Sequence, residues 1–332
     1  MSDDAGQEIT ALPSVLQAAV KTIPSGFKAK VAKVLLRLIA GSDSALPFVA
    51  KVRERWDTMD GQSHVASELA KEVAKRAITD PEVVRRATDR FLIESSRSQS
   101  NIESVARLAI EDLRDDPATV EMNNDIDEDW ISKFVRFSQD ASSSEAQNLW
   151  AKVLAGEIRQ AGSFSLRTMR FLSELDKNVA ETFLELTRNT LHANSIFTPV
   201  DRWSTGPALK KLKLLLEAGL ISDIPGSTNR PVVADQNGML FVWQERSALV
   251  IKANPSFSFN IPISQFTTVG EEIYKLIEPA DEFFVLEDIA TQLRSIIEPQ
   301  STYAAIGPRV MKDGGFTSVA PMKVLWGDLT EI

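Results

Sequence analysis

Six apolar residues between positions 146 and 158 recur every three or four positions, which is the spacing of one face of an α-helix. They are Ala146, Leu149, Trp150, Val153, Leu154 and Ile158. Ser142 and Glu145 before this stripe form a capping box, and Gly162 after it supplies a stop. The pattern therefore predicts an amphipathic helix whose start and end are both encoded locally.

Three similar stripes lie next to this one. The first follows Asp127 and Asp129, the second follows Ser165, and the third follows Asp176, and each of these residues suits a helix N-terminus. The stripes are Trp130, Ile131, Phe134 and Phe137, then Leu166, Met169 and Leu172, then Val179, Phe183 and Leu186. Four short amphipathic helices in succession predict a central helical region over residues 127–195.

Three segments of this region resemble the pattern of an uncharacterised bacterial family, the domain-of-unknown-function family numbered 2806. The segments are Asp129 to Ile131, Leu149 to Glu157 and Gly162 to Thr168, with a further match at Asn101 to Glu103. The resemblance covers residues 100 to about 290. The Leu-Trp pattern also has a looser likeness to the abortive-infection alpha family. The resemblance implies a setting in bacterial defence against phage, and it implies no reaction, because the family has no catalytic residues to carry over.

We interpret seven residues of this pattern as a structural core rather than as a reactive site. They are Trp130, Trp150, Leu154, Gly156, Glu157, Arg167 and Thr168. We expect Trp150 and Leu154 to be buried. For Glu157 and Arg167, a buried ion pair that holds helices in register is favoured over acid–base chemistry.

Residues 1–115 predict an N-terminal helical region in which charge is unevenly spread. Residues 21 to 55 carry eight basic and two acidic side chains, and residues 111 to 145 carry three basic and eleven acidic ones. Val31, Leu35 and Leu38 lie within the first stretch at helical spacing, which makes it a basic amphipathic arm. We favour docking of this arm on the acidic stretch 111–129, or an oligomer contact, over binding to an anionic membrane.

A helix of about 50 Å is predicted from Asp80-Pro81 to Leu113. Its polar middle leaves two interpretations open, a single long helix that serves self-association or two helices with a break near Ser98. Another helix is predicted over residues 63–77.

Beyond His192 the spacing of the apolar residues changes along the chain. A helix is predicted over Lys210 to Leu220, with Gly219 as its stop. A hairpin is predicted across Asn237-Gly238 between strands at 232–233 and 239–243, and a capping box of Thr268 with Glu271 predicts the start of a further helix. This order resembles a winged-helix domain over residues 205–278, followed by a small α/β unit over 279–332. The predicted fold class is thus mainly α in the N-terminal and central regions, then an α+β, winged-helix-like C-terminal region.

The predicted winged-helix-like domain offers a weak nucleic-acid surface. Lys210, Lys211 and Lys213 are placed to contact phosphate, but the net charge of −9 and the aromatic Phe241 and Trp243 favour a protein partner.

The sequence contains no recognisable catalytic motif. The chain has no cysteine, which excludes disulfides, thiolate nucleophiles and cysteine zinc sites and fits a cytoplasmic location. The two histidines, His64 and His192, have no acid or nucleophile at a motif spacing, and no phosphate-binding glycine loop is present. Asp125-x-Asp127-x-Asp129 begins like a calcium loop, but Trp130 stands where that loop needs glycine. We therefore expect no catalytic residue, no cofactor and no metal.

Two classes of function follow. The leading hypothesis is a cytoplasmic, non-enzymatic interaction protein, a sensor, adaptor or effector of phage-defence or abortive-infection type, whose partner is a protein, a second copy of the chain included. The alternative is a winged-helix transcriptional regulator that binds DNA. Peripheral membrane contact through residues 21–55 is a further, less favoured hypothesis.

Overall fold

The computed structural model describes residues 8–40, 81–114, 125–191, 194–223, 227–277, 281–312, 315–318 and 322–327. The chain divides into two compact units, unit 1 over Met1–Ser173 and unit 2 over Glu174–Ile332. Unit 1 is helical wherever it has regular structure in the described residues, and unit 2 combines helices with two sheets, so the α+β class is confirmed. The predicted boundaries of the four smaller regions stay predictions.

In unit 1, residues 8–11 are helical, and six further helices follow in the described ranges. They are α1 (Ser14–Val20), α2 (Ser25–Ala40), α3 (Pro81–Leu113), α4 (Glu128–Ser138), α5 (Ser144–Arg159) and α6 (Leu166–Ser173). Their starts follow local capping chemistry, because the Asp127 side chain accepts from the backbone N–H of Trp130 and the Ser143 side chain accepts from that of Ala146. The capping box predicted at Ser142 is therefore wrong by one residue.

The long helix predicted from Pro81 to Leu113 is confirmed as one continuous element, α3, with no break at Ser98. Its C-terminal half is buried in unit 1 through six apolar residues, Ile102, Val105, Ala106, Ala109, Ile110 and Leu113. Asn101, which is also buried, donates through Nδ2 to the carbonyl of Gln139 at 2.8 Å and thereby ties α3 to the end of α4.

The described part of the basic arm is α2, and it docks inside unit 1. Val31, Leu35 and Leu38 are buried, and α2 packs against α3 and α4. Lys33 pairs with Asp125 at 2.9 Å, and Arg37 pairs with Glu128 at 3.5 Å. The contact predicted between the basic arm and the acidic stretch 111–129 is thus present. An exposed pair such as Lys33–Asp125 contributes about 0–1 kcal/mol, so burial of the apolar stripe does most to hold α2 in place.

Unit 2 begins at α7 and contains the strands. Its helices are α7 (Lys177–Thr187), α8 (Val200–Trp203), α9 (Gly206–Glu217), α10 (Thr268–Tyr274), α11 (Glu282–Gln292) and α12 (Arg294–Ile297). Its strands are β1 (Thr190–Leu191), β2 (Ser195–Phe197), β3 (Thr228–Val233), β4 (Met239–Trp243), β5 (Ser247–Ala253), β6 (Ser258–Gln265), β7 (Ser301–Lys312), β8 (Gly315–Ser318) and β9 (Lys323–Gly327).

The strands form two antiparallel sheets. One has the order β1-β2-β6-β3, and the other has the order β4-β5-β7-β8, with β9 also paired to β7. One face of each sheet contributes to a common core with α11, in which Leu249, Ile261 and Leu286 are fully buried. The pairing of β5 with β7 joins the predicted regions 205–278 and 279–332 in one sheet.

The predicted hairpin across Asn237-Gly238 is wrong. A tight turn does form there, because Gly238 has a φ of 75° and the Asp235 carboxylate accepts from the backbone N–H groups of Asn237 and Met239. The strands on its two sides, however, pair with different partners, β3 with β6 and β4 with β5. The turn is therefore the point where one strand path passes from the first sheet to the second.

Two further caps were predicted in unit 2. Asp176 caps α7 by accepting from the backbone N–H of Asn178, as expected. The cap of α10 is Thr267, whose side chain accepts from the N–H of Gly270, so the capping box predicted at Thr268 is wrong by one residue. Gly219 ends α9 with a φ of 75°, which confirms the predicted left-handed stop.

Candidate functional site

The two tryptophans of the central pattern lie in one aromatic cluster between α4 and α5. Trp130 stacks on Phe134 with ring centroids 5.1 Å apart, and Phe134 meets Trp150 edge to face at 5.6 Å. Phe137 stacks on the other side of Trp150 at 6.2 Å. Trp150 and Leu154 are both buried, as predicted. The cluster fixes the angle between α4 and α5 and supports the loop that follows α5.

That loop, residues 160–165, is named the α5–α6 loop, and several residues of the central pattern contact it at Phe164. The indole Nε1 of Trp130 donates to the carbonyl oxygen of Phe164 at 2.7 Å. The ring of Phe164 lies over Gly156, where an added Cβ would come within 2.6 Å of the ring. Glycine at position 156 therefore makes room for the ring, and Trp130 holds the backbone beside it.

Glu157 completes the attachment of the loop. Its side chain is buried, and its two carboxylate oxygens accept from the backbone N–H groups of Gly162 at 2.5 Å and Phe164 at 3.1 Å. The N–H of Ser163 is a further donor to the same group. A carboxylate that accepts several backbone N–H groups holds the loop in one conformation, and it gives the buried N–H of Phe164 the acceptor that it needs.

The protonation of Glu157 is set mainly by its burial. Removal from water raises the pKa of the Glu157 carboxyl, while the three backbone amides and the charge of Lys30 act in the opposite direction. The pKa of Lys30 is lowered by burial, against the attraction of Asp125 and Glu157. A raised pKa often accompanies an acid–base role, but here both carboxylate oxygens are engaged by the loop. The arrangement therefore anchors the α5–α6 loop rather than moving a proton.

This environment gives Glu157 a distinct dependence of stability on pH. Because its folded-state pKa is raised, the folded protein binds the proton more tightly than the unfolded chain does, and its contribution to stability falls as pH rises through the folded pKa. We expect the unfolding free energy of wild type minus that of Glu157→Gln to become larger as the pH is lowered from 7 to 5. Urea titrations of both proteins at these two pH values measure this difference; one that shrinks toward pH 5 would contradict the raised pKa.

The predicted ion pair between Glu157 and Arg167 is wrong. Arg167 is exposed on α6, whereas Glu157 is buried with backbone amides as its partners. Thr168 is fully buried, and both its N–H and its hydroxyl contact the Ser165 hydroxyl at 3.2 Å, which caps α6 at its first turn. Four of the seven predicted residues, Trp130, Gly156, Glu157 and Thr168, therefore contact the α5–α6 loop. Trp150 and Leu154 are buried on α5, and Arg167 is exposed on α6.

The three lysines predicted to touch nucleic acid all lie on α9. Lys210 and Lys213 are exposed, while Lys211 pairs with Glu185 of α7 at 2.5 Å. Two exposed lysines on a helix make only a weak site for phosphate.

The N-terminal half of α3, residues 81–97, is the surface that the sequence analysis did not single out. Every described side chain from Glu82 to Arg97 is exposed, and the exposed fractions of Phe91, Leu92 and Ile93 are 62%, 59% and 68%. This segment is named the exposed half of α3. The run Phe91-Leu92-Ile93 could have indicated this surface in the sequence. Three consecutive residues of a helix point in different directions, so one neighbouring helix covers only some of three large apolar side chains.

Other predicted features lie outside the described residues. Both histidines and the predicted helix over 63–77 are among them. Within the described ranges, no group of three or more potential metal-binding side chains comes together. None of the helices in those ranges is long and apolar enough to cross a membrane.

Comparison with known proteins agrees with the resemblance of the central pattern. The family model described as "Protein of unknown function (DUF2806)" matches residues 85–196. No curated protein and no solved structure matches the chain. The matched segment includes most of α3, the aromatic cluster and the α5–α6 loop with Glu157, and it ends well before residue 290, to which the resemblance was extended.

Proposed function

We propose that this protein is a non-enzymatic interaction protein, a sensor, adaptor or effector in bacterial defence against phage. The observation that carries the interaction role is the exposed half of α3, where Phe91 and Leu92 are more than half exposed side by side. Large apolar side chains grouped on a surface mark contact with another macromolecule. The defence setting rests on the looser resemblance, noted from the sequence, of the Leu149-Trp150 pattern to the abortive-infection alpha family.

The central motif supports this role because it braces the other half of the same helix. α5 packs along α3 between two polar contacts, Gln147 to Asn101 at 3.3 Å and Arg159 to Asp112 at 2.8 Å. The aromatic cluster and Glu157 hold α5 in turn. A binding surface on a helix whose continuation is locked into a core is pre-organised, which lowers the entropy lost on binding.

Phage challenge of cells that carry the gene tests this proposal. We expect the wild-type protein to reduce plaque formation by at least some phages, and Phe91→Asp to abolish the reduction because a charge at this site prevents apolar contact. Phe284→Asp is the matched control, since Phe284 lies on helix α11 with a similar exposed fraction of 60%. Equal plaque formation with and without the gene across a broad panel would contradict the defence role, and full protection by Phe91→Asp would contradict the role of this surface.

A winged-helix-like arrangement in unit 2 is also part of the proposal. It is supported by the order of elements, which runs α7, β2, α8, α9, β3 and β6. It is supported further by the sheet, in which β6 lies between β2 and β3 as the third strand of a winged helix does. The place of the wing is taken by β4 and β5, the segment between β3 and β6.

The surroundings of β4 and β5 favour a protein-binding use over DNA binding. β5 pairs along its length with β7, so the segment is built into the second sheet. Phe241 and Trp243 on β4 stack on each other at 4.7 Å, and the guanidinium of Arg309 lies 5.5 Å from the ring centroid of Trp243. A wing that is held in this way has little freedom to enter a groove of DNA.

DNA binding by α9 is the second candidate, favoured by the exposed Lys210 and Lys213 on the helix that would read DNA. An electrophoretic shift at two salt concentrations tests it. If this candidate is right, Lys210→Gln with Lys213→Gln weakens binding and flattens its salt dependence, while Lys275→Gln, directly after α10, does not. The account favoured here predicts no salt-sensitive shift for any of these proteins.

A further inference from the structure

We draw no further inference here: the strongest candidate, the aromatic face of the second sheet around Phe241 and Trp243, carries no proposal, because nothing in the described residues shows what covers it.

Discussion

Replacing Trp150 by alanine is expected to lower the free energy of unfolding by roughly 3 to 5 kcal/mol. Trp150 is 4% exposed and contacts Phe134 on one side and Phe137 on the other. Its removal leaves a cavity between α4 and α5 that these two rings cannot both close. The loss is measured by urea unfolding followed by circular dichroism.

The control for this substitution is Leu184→Ala, a truncation on the exposed side of α7, where the side chain is 48% exposed. We expect it to change the unfolding free energy by about 0.5 kcal/mol or less. Identical urea midpoints for Trp150→Ala and wild type would show that the aromatic cluster does not hold α4 and α5 together.

Replacing Glu157 by alanine has the second largest expected effect, a decrease of about 3 to 5 kcal/mol in the free energy of unfolding, because two hydrogen bonds to its carboxylate are lost. The N–H groups of Gly162 and Phe164 lose their hydrogen bonds to the carboxylate, and a hydrogen bond to a charged group contributes roughly 1.5–3 kcal/mol. Loss of the loop also frees the Phe164 ring from Gly156. We expect limited proteolysis to cut the α5–α6 loop in this variant well before it cuts wild type.

Glu181→Ala is the control, since Glu181 is an exposed glutamate whose pair with Lys177 spans 3.8 Å. A stability of Glu157→Ala within about 0.5 kcal/mol of wild type would mean that the loop holds itself without the carboxylate. That result would reopen an acid–base role for Glu157.

The helices of unit 1 could be predicted from the sequence because their signals are local. The helical spacing of Leu149, Trp150 and Val153 predicted α5, and the start signal at Asp80-Pro81 predicted α3. The caps at Ser143 and Thr267 were each placed one residue away, because neighbouring serines and threonines offer nearly the same chemistry.

Partners distant in the chain were harder to predict. The sequence predicted the strands near β3 and β4 and the turn at Gly238. A strand pattern does not show which other strand lies beside it, and β3 pairs with β6 rather than with β4. Glu157 was predicted to pair with Arg167 because a sequence shows which side chains carry an opposite charge. Its partners are backbone N–H groups of the α5–α6 loop. Every residue except proline has such a group, so the sequence does not indicate which of them a carboxylate will bind.

The exposed half of α3 illustrates a third limit. Phe91 falls on the helical stripe in the sequence in the same way as Ile102, yet one is 62% exposed and the other 6%. The difference arises because α5 begins level with about residue 98, and that level depends on how two helices pack rather than on either helix alone. Periodicity identifies the apolar face of a helix, but packing decides how much of that face is covered.

Amide hydrogen exchange along α3 tests the central claim most directly, namely that one half of this helix is locked in the core of unit 1 and the other half is an exposed contact surface. The account predicts slow exchange for residues 101–113 and fast exchange for residues 85–97. Uniform slow exchange along the whole helix would contradict it.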